Sequence, residues 1–393
     1  MPPKSKAAAS KASASALTKF EEKFAKSFGV GTLTRSAVIN PYEVISTGSL
    51  ALDYALGVGG FVEGRLHEIW GPEGIGKTRV ALLTIVQAQR KHPDKMAAFI
   101  DVEQKMDAKW AAAHGVDLER LFLYRPNTAE DVADAVKEFV ASGLVSLVVI
   151  DSIGAMIPER EKEKDAGDAV VGKQAQIVTR MVKIAAAEAP KTSTTVVIIN
   201  QQRANLAYGA DTTTGGGFAL KHATTTKLKV KRSGAKTPIK VTINGEERTI
   251  GHEIAITVER NGVANAYRTA TITMFHVETE KYGPIGIDIA DETVTLGLKT
   301  RVIKQRGAWY DLPDSSTHQG REALLQAVRE NLTVQEQIRD LVLQTMAGTI
   351  KPEESPEDIE EQSEEDPMAA LRARVEKGEG PAFRTSGSIA EDA

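Results

Sequence analysis

The residues of this chain best suited to chemistry form one glycine-rich run: Gly71, Pro72, Glu73, Gly74, Ile75, Gly76, Lys77 and Thr78. The run fits the pattern G-x-x-x-x-G-K-[ST], in which the backbone curls at its glycines and points N–H groups at phosphate oxygens. Lys77 is then expected to reach the outer phosphates of a nucleotide, and the Thr78 hydroxyl to hold Mg²⁺. The competing interpretation is a glycine-rich turn with a surface lysine.

The sequence on either side of the run predicts the strand–loop–helix context that a phosphate loop needs. Leu66–Trp70 predicts a strand before the run, and Arg79–Gln89 predicts a helix after it. The N-terminus of that helix would add a partial positive charge beside the phosphates. This agreement disfavours the plain turn.

A second acid-tipped strand fits the same site. Leu147–Ile150 is apolar and is followed by Asp151, 73 residues after Thr78. Open α/β sheets bind ligands at the carboxyl ends of their strands, so Asp151 is expected to lie beside the loop and to hold Mg²⁺ through water.

Two more strand ends carry side chains that could act on a nucleotide. Ala98–Ile100 leads into Asp101 and Glu103. A carboxylate there can orient and deprotonate the water that attacks the γ-phosphate, and Glu103 is the expected general base, with Asp101 as its competitor and a plain surface acid as the alternative. Ile198–Ile199 leads into Asn200 and Gln201, and an amide there can sense the γ-phosphate.

Two long segments follow these strands. Pro158–Gly172 is rich in charge and glycine, and Gln202–Leu220 carries a run of threonines and glycines. Loops this long inside a compact domain are usually functional. The run consists of Thr212, Thr213, Thr214, Gly215, Gly216 and Gly217.

Basic residues cluster after the second loop. Lys227, Lys229 and Lys231 alternate with apolar residues, which predicts a strand with one basic face. Together with Arg203 and Lys221, this face could line a path for a phosphate backbone. A solvated edge that resists aggregation is the alternative.

Composition excludes several classes of protein. The chain has 393 residues, a net charge of −4, 41% hydrophobic residues and no apolar run near the length of a membrane span. Without cysteine it has no disulfides, no cysteine-ligated zinc and no cysteine nucleophile. The seven histidines show no metal-binding spacing. These features are compatible with a cytoplasmic protein.

Periodicity and composition predict four segments. Residues 1–43 comprise a flexible basic tail, to residue 16, and an amphipathic helix that packs on its own domain or on a neighbouring subunit. Residues 44–282 alternate strands and helices, as in a doubly wound α/β core. Residues 283–349 predict a small, mostly helical unit, and residues 350–393 begin with an acidic run that is expected to be disordered.

These motifs together resemble the RecA family of bacterial strand-exchange recombinases. The resemblance spans about residues 17–346 and is carried by Ile45–Gly57, Gly71–Thr78, Phe99–Glu103, Asn200–Arg203, Thr212–Lys221 and Gly307–Tyr310. It implies a RecA-like P-loop ATPase core with a mostly parallel sheet, an N-terminal helix and a small α/β C-terminal domain. It also implies ATP and Mg²⁺ as cofactors and filaments on single-stranded DNA, which pair that strand with homologous duplex DNA. Loader or single-strand-binding proteins are further implied partners.

The resemblance assigns roles to individual positions. Glu103 matches the family's catalytic glutamate, Gln201 its γ-phosphate sensor, and Trp110 the aromatic residue that stacks on adenine. The loops after Asp151 and Gln201 match the two DNA-binding loops, and the Leu17–Phe28 helix matches the segment that packs on the adjacent subunit. The DNA-binding positions are then Arg203, Thr212, Thr213, Thr214, Gly215, Gly216 and Lys221.

Two positions depart from the family pattern. His222 stands where the family usually has an aromatic residue after the second loop, which puts the usual relay between subunits in doubt. Where the family has two lysines that reach the neighbour's ATP, this chain offers only Arg260. This divergence leads to the hypothesis of a phage-encoded or accessory recombinase.

The same core is compatible with three other functions. A ring-forming helicase is disfavoured because its usual larger N-terminal domain is not seen in the sequence, and a zinc-bearing RecA-like repair ATPase because cysteine is absent. A nucleotide-binding regulator without catalysis is disfavoured because Lys77, Thr78, Glu103 and Asp151 are all present.

Overall fold

The fold is built on one large, mostly parallel β-sheet with helices on both faces. A computed structural model describes residues 5–28, 42–159, 172–203, 213–214, 217–233, 238–243, 245–279, 282–283, 285–346 and 348–350. Its α-helices are α1 Ser5–Phe28, α2 Leu50–Leu56, α3 Lys77–Lys91, α4 Ala108–Ala113, α5 Ala129–Ser142, α6 Lys173–Thr192, α7 Gly217–Ala223, α8 Ile289–Lys299, α9 Arg321–Glu330 and α10 Leu332–Met346.

The strands form one sheet of eleven strands, a second of three and a third of two. They are β1 Val44–Ile45, β2 Phe61–Val62, β3 Leu66–Gly71, β4 Met96–Asp101, β5 Leu121–Tyr124, β6 Val145–Asp151, β7 Thr195–Arg203, β8 Thr213–Thr214, β9 Thr224–Arg232, β10 Ile239–Ile243, β11 Glu246–Asn261, β12 Thr269–Phe275, β13 Gly286–Ile287, β14 Lys304–Arg306, β15 Trp309–Asp311 and β16 Thr317–Gln319.

The large sheet runs in the order β13-β12-β11-β9-β3-β7-β6-β4-β5. The six strands from β9 to β5 pair in parallel, and β11, β12 and β13 extend the sheet in antiparallel fashion. The carboxyl ends of β3, β4, β6 and β7 therefore lie at the same edge of the sheet. This confirms the predicted mostly parallel α/β architecture.

Alternate residues of the central strands enter two separate hydrophobic clusters. Phe99 and Val149 pack with α3 on one face, while Ile100 and Val148 pack with α5 and α6 on the other. Burial on both faces is why these strands read as continuous apolar runs. No helix among the described residues is long and apolar enough to cross a membrane.

Most predicted elements of the core are confirmed, and their ends are set by local chemistry. The predicted strand Leu66–Trp70 lies within β3, which ends one residue later at Gly71. At the start of α5, Thr128 and Asp131 form a capping box, and Gly143 ends this helix in the left-handed conformation.

Three parts of the fold differ from the sequence-based expectation. The prediction of a flexible tail to residue 16 differs from the structure from Ser5 onward. The helix that was predicted to begin at Leu17 begins at Ser5 instead. Residues 5–16 are rich in alanine, the strongest helix former. The half-exposed edge strand β5 and the sheet of β14, β15 and β16 were not predicted, because strands of three or four residues give too short a pattern.

A buried polar network joins the C-terminal helices to the start of the core. The Asp53 carboxylate on α2 accepts hydrogen bonds from Thr47 and lies 3.5 Å from the Arg339 guanidinium of α10. The Glu292 carboxyl on α8 accepts a hydrogen bond of 2.7 Å from the Ser49 hydroxyl. Burial raises the pKa of Asp53 to about 6 and that of Glu292 to about 8.

Glu292 is therefore expected to make stability fall as the pH rises. The pKa of Glu292 is about 8 in the folded state, and its ordinary value is 4.5. Between these two pH values the folded state keeps a proton that the unfolded state has lost, so the free energy of unfolding falls as the pH rises. Glu292→Gln should remove this dependence and raise the melting temperature, relative to the unmodified chain, more at pH 9 than at pH 5. Thermal unfolding of both proteins at both pH values tests this, with the exposed Glu138→Gln as control. An equal difference at the two pH values would contradict it.

Candidate nucleotide site

The glycine-rich run forms the turn between β3 and α3. Gly71 ends β3, and a Cβ atom there would lie 2.3 Å from the backbone oxygen of Val230, so only glycine fits. Gly76 precedes α3 with a φ of 107°, in the left-handed region. The Lys77 ammonium folds back over the loop and donates hydrogen bonds to the Gly71 carbonyl at 2.9 Å and the Pro72 carbonyl at 2.5 Å. The sequence-predicted phosphate loop thus has its expected strand and helix.

The loop forms one wall of a cavity of about 300 Å³. Side chains from the carboxyl ends of neighbouring strands and from α4 form the rest. The lining residues are Glu73, Gly74, Ile75, Gly76, Lys77, Thr78, Arg79, Glu103, Lys105, Trp110, Asp151 and Gln201. Burial lowers the pKa of Lys77 and leaves its ammonium short of solvation, so a phosphate anion in this cavity would relieve that cost.

Thr78 and Asp151 meet at the base of the cavity. The Thr78 hydroxyl donates a hydrogen bond of 2.5 Å to the Asp151 carboxylate. Burial raises the pKa of Asp151 to about 6, while the hydrogen bond from Thr78 acts against the rise. These hard oxygen donors are of the kind that Mg²⁺ prefers. Because the described residues hold no cluster of three or more histidines or acids around them, an ion here would need phosphate and water oxygens to complete its shell.

Glu103 is held in the cavity by three donors. Its carboxylate accepts hydrogen bonds from the Ser152 hydroxyl at 2.7 Å and the Gln201 amide at 2.6 Å, and it lies 2.9 Å from the Lys105 ammonium. Burial acts to raise the pKa of Glu103, but the hydrogen bonds from Lys105, Ser152 and Gln201 outweigh it and lower the pKa. The carboxylate is therefore ionised at neutral pH and is in direct contact with the predicted sensor amide.

The carboxylate of the competing acid, Asp101, is occupied by hydrogen bonds to other groups. It is 2% exposed, and its carboxylate accepts hydrogen bonds from the backbone N–H groups of Lys105 at 3.1 Å and Met106 at 3.0 Å and from Arg125 at 3.4 Å. It does not line the cavity. Asp101 therefore shapes the turn that carries Glu103, and the geometry favours Glu103 as the base.

Trp110 lies at the far side of the cavity. It sits on α4, whose first turn is capped by the Asp107 carboxylate. The Arg79 guanidinium lies over its ring, with Cζ 5.1 Å from the ring centroid, and His114 meets it edge-on at 4.5 Å. A flat aromatic surface therefore borders the phosphate loop, as stacking of a base requires.

The sequence analysis did not identify two residues that line the cavity, Arg79 and Lys105, or the buried Ser152 that holds Glu103. Each is next to, or two positions from, a residue that was identified: Arg79 follows Thr78, Ser152 follows Asp151, and Lys105 comes two residues after Glu103. Their positions in the sequence were the only signal, because their roles depend on which way the chain turns after each strand.

Of the remaining predicted site residues, Arg260 and Lys221 are not among the residues that line the cavity. Arg260 is exposed on β11, in register with Lys227 of β9. Lys221 is exposed on α7, and Thr213 and Thr214 form β8, which pairs with the end of β7 at Gln202–Arg203. Thr212, Gly215 and Gly216, with residues 160–171 of the first loop, lie outside the described residues.

The lysines of the predicted basic strand, β9, are not all available to bind a phosphate backbone. The Lys227 ammonium lies 3.6 Å from the Glu68 carboxylate, and the Lys229 ammonium lies 3.5 Å from that of Glu259. Both ammonium groups also lie over the Trp70 ring, at 4.9 and 4.7 Å from its centroid. These two lysines are therefore paired within the sheet: the register of β9 against β3 puts Glu68 opposite Lys227, and the other neighbouring strand, β11, supplies Glu259.

Comparison with known proteins gives consistent matches along the chain. A sequence profile of the RecA N-terminal domain matches residues 11–280, and one of the RecA C-terminal domain matches residues 291–347. Protein RecA of Chlorobaculum parvum is 36% identical over 334 residues, which cover 84% of this chain and 91% of that protein. Protein RecA of Lactobacillus johnsonii is 34% identical over 350 residues, which cover 87% of this chain and 93% of that protein. For Protein RecA of Campylobacter hominis the identity is 34% over 347 residues, with 87% and 95% covered.

Proposed function

The chain belongs to the RecA family, and from this premise we propose that its cavity binds ATP and that Glu103 activates the water that attacks the γ-phosphate. RecA family proteins are DNA-dependent ATPases, and this chain is an ATP-hydrolysing recombinase of DNA recombination and repair. It binds DNA and assembles into filaments.

The contact between Glu103 and Gln201 carries the assignment of the catalytic groups. A carboxylate that would take the proton of water lies 2.6 Å from the amide of the proposed γ-phosphate sensor, across the cavity from the phosphate loop. The loop residues Gly71–Thr78 would hold the phosphates, with Lys77 on the outer ones, and Trp110 would stack on the base. Thr78 and Asp151 would hold Mg²⁺, which offsets phosphate charge when it is bound.

The DNA contacts belong to the same proposal. Arg203, Lys221 and the Thr212–Gly216 segment would bind the phosphate backbone of single-stranded DNA, which the filament then pairs with homologous duplex. Arg260 would reach the ATP of a neighbouring subunit; it is exposed and is not among the residues that line its own chain's cavity. Loader or single-strand-binding proteins are proposed partners, and the cytoplasm is the proposed location.

The proposed organisation of the chain has four parts. Residues 1–43 would mediate contact between subunits, and residues 44–282 would form the ATPase core. Residues 283–349 would form a small C-terminal domain that helps to capture duplex DNA, followed by an acidic tail over residues 350–393. Helices α8, α9 and α10 share a hydrophobic cluster, which also includes Leu50 of α2, so this unit would pack against the core.

Single-stranded DNA is expected to stimulate ATP hydrolysis strongly in the presence of Mg²⁺. Affinity for the strand should fall by at least about tenfold between about 50 and 200 mM salt, because phosphate contacts release counterions. Lys221→Gln should weaken binding and lower the slope of log affinity against log salt by about one. The exposed Lys137→Gln on α5 is the matched control.

If ATP were hydrolysed without any stimulation by DNA, the assignment of the ATP site would stand, but the assignment of the two loops as DNA-binding segments would be contradicted. Electron microscopy of the same samples separates the filament from the ring of a helicase. Closed rings on DNA would contradict the recombinase assignment.

A further inference from the structure

Arg79 occupies a distinctive place in the cavity. It follows Thr78 in the first turn of α3, so its side chain starts beside the phosphate loop. Its guanidinium reaches the Trp110 ring, 5.1 Å from the centroid, and the side chain lines the cavity. It therefore bridges the part of the cavity that fits phosphates and the part that fits a base.

This guanidinium lies half-buried without a counterion. No carboxylate pairs with Arg79 anywhere in the described part of the chain, and its Nη1 atom is buried without a hydrogen-bond partner. The groups around it are rings rather than acids. His114, whose Nδ1 lies 2.8 Å from the Trp110 carbonyl, leaves its buried Nε2 unpartnered, and the charge of Arg79 adds to the burial that lowers the pKa of both His114 and His252.

A buried charge without a partner is costly, and proteins keep one where an opposite charge arrives from outside. The anion that this cavity is built to admit is the nucleotide. In a phosphate loop the backbone N–H groups cradle the α- and β-phosphates and the lysine reaches the outer ones. The loop would therefore offer the α-phosphate, next to the ribose and base, N–H groups but no side-chain cation.

We propose that Arg79 is the ligand of the nucleotide's α-phosphate in this chain, held ready for it by the face of Trp110. The proposal rests on the proposed ATP site and adds to it a contact that ATP, ADP and AMP share. Such a contact contributes equally to substrate and product, so it raises affinity for the nucleotide rather than the rate of the chemical step.

The test compares ADP, which carries an α-phosphate, with inorganic pyrophosphate, whose two phosphates would fill the two outer positions at Lys77. Arg79→Met keeps the length of the side chain and its packing on Trp110 but removes the charge. We expect ADP affinity, measured by calorimetry on the full chain, to fall about 10- to 100-fold, the worth of a charge-assisted hydrogen bond. Pyrophosphate affinity should not change. The matched control is Arg90→Met, an exposed arginine at the other end of the same helix.

Thermal unfolding gives a second, independent readout. Removal of an uncompensated buried charge should raise the melting temperature of the nucleotide-free Arg79→Met protein, while the rise that ADP induces becomes smaller. A structural arginine would give the opposite result, a lower melting temperature with ADP affinity intact.

The outcomes separate this proposal from the ATP site itself. Unchanged ADP affinity in Arg79→Met would overturn the role of Arg79, and so would an equal loss for pyrophosphate, because the contact would then be to outer phosphates. If weakening were as large for adenosine as for ADP, Arg79 would recognise the base, and the α-phosphate assignment would fail. Failure of the unmodified chain to bind ADP would instead contradict the proposed nucleotide site.

Discussion

Glu103→Gln is expected to slow ATP hydrolysis by about 10²- to 10⁴-fold, the contribution of a well-placed general base. ATP affinity should stay close to that of the unmodified chain. The substituted amide keeps an oxygen that can accept the hydrogen bonds of Ser152 and Gln201, so the cavity keeps its shape. What the amide lacks is the basicity to take a proton from water, so the loss should fall on the chemical step alone.

Single-turnover hydrolysis with DNA present measures this step, and binding of a fluorescent ATP analogue measures affinity. Asp101→Asn is the informative comparison, because Asp101 lies two residues away but is occupied by backbone N–H groups and Arg125. If Glu103→Gln turned over normally while Asp101→Asn did not, the general base would be Asp101.

Ser152→Ala offers a graded version of the same experiment. Ser152 donates one of the three contacts that hold the Glu103 carboxylate, and two remain without it. A smaller loss of rate than for Glu103→Gln is therefore expected. A loss as large as that of Glu103→Gln would mean that orientation of the carboxylate, rather than its basicity, limits the reaction.

The residues whose positions follow from local sequence lie together, as the sequence predicted, although their roles stay predictions. The Gly71–Thr78 loop, Asp151 and Glu103 all sit at or next to the carboxyl ends of apolar strands, and parallel strands bring those ends to one edge whatever the details of packing. The same rule led to Gln201. An acidic or amide residue after a buried strand thus carries positional information in the sequence itself.

Residues whose role depends on register could not be predicted. Lys227 and Lys229 form a basic stripe in the sequence, yet the alignment of β9 with β3 puts Glu68 opposite Lys227, and the neighbouring strand β11 brings Glu259 to Lys229. The choice between Asp101 and Glu103 was also open, because it depends on a turn in which Asp101 caps the following backbone. Both facts arise from non-local pairing, which a single sequence does not encode in a readable pattern.

Arg79 illustrates a third limit. An arginine in the first turn of a helix usually reads as a solvated surface residue, and nothing nearby in the sequence marks it as unpaired. Only the fold shows that its guanidinium lies over the Trp110 ring and that, among the described residues, no carboxylate pairs with it. Absence of a partner is a property of the packed chain, so it becomes visible only in the structure.

Lys77→Ala is expected to abolish ATP hydrolysis, and it should do so by a different route from Glu103→Gln. The Lys77 ammonium is buried and is held by two loop carbonyls, so it is already positioned where phosphate charge would arrive. Its removal takes away the main cation of the loop and leaves the carbonyls of Gly71 and Pro72 facing the phosphates. Repulsion then replaces attraction, so ATP and tripolyphosphate affinity should both fall by at least about 100-fold, as for loss of a buried charge-assisted contact.

The matched control for Lys77→Ala is Lys105→Ala, since both lysines line the same cavity. Lys105 is two-thirds exposed, at 66%, and is neutralised by Glu73 and Glu103, so its loss should weaken nucleotide binding only a little. Because the two lysines differ in burial, the comparison tests whether the desolvation of the Lys77 ammonium is the cause of its phosphate affinity. Equal losses of affinity in the two variants would mean that net positive charge in the cavity, rather than the desolvated ammonium of Lys77, holds the phosphates. If Lys77→Ala hydrolysed ATP at an ordinary rate, the phosphate loop would not be part of the site of hydrolysis.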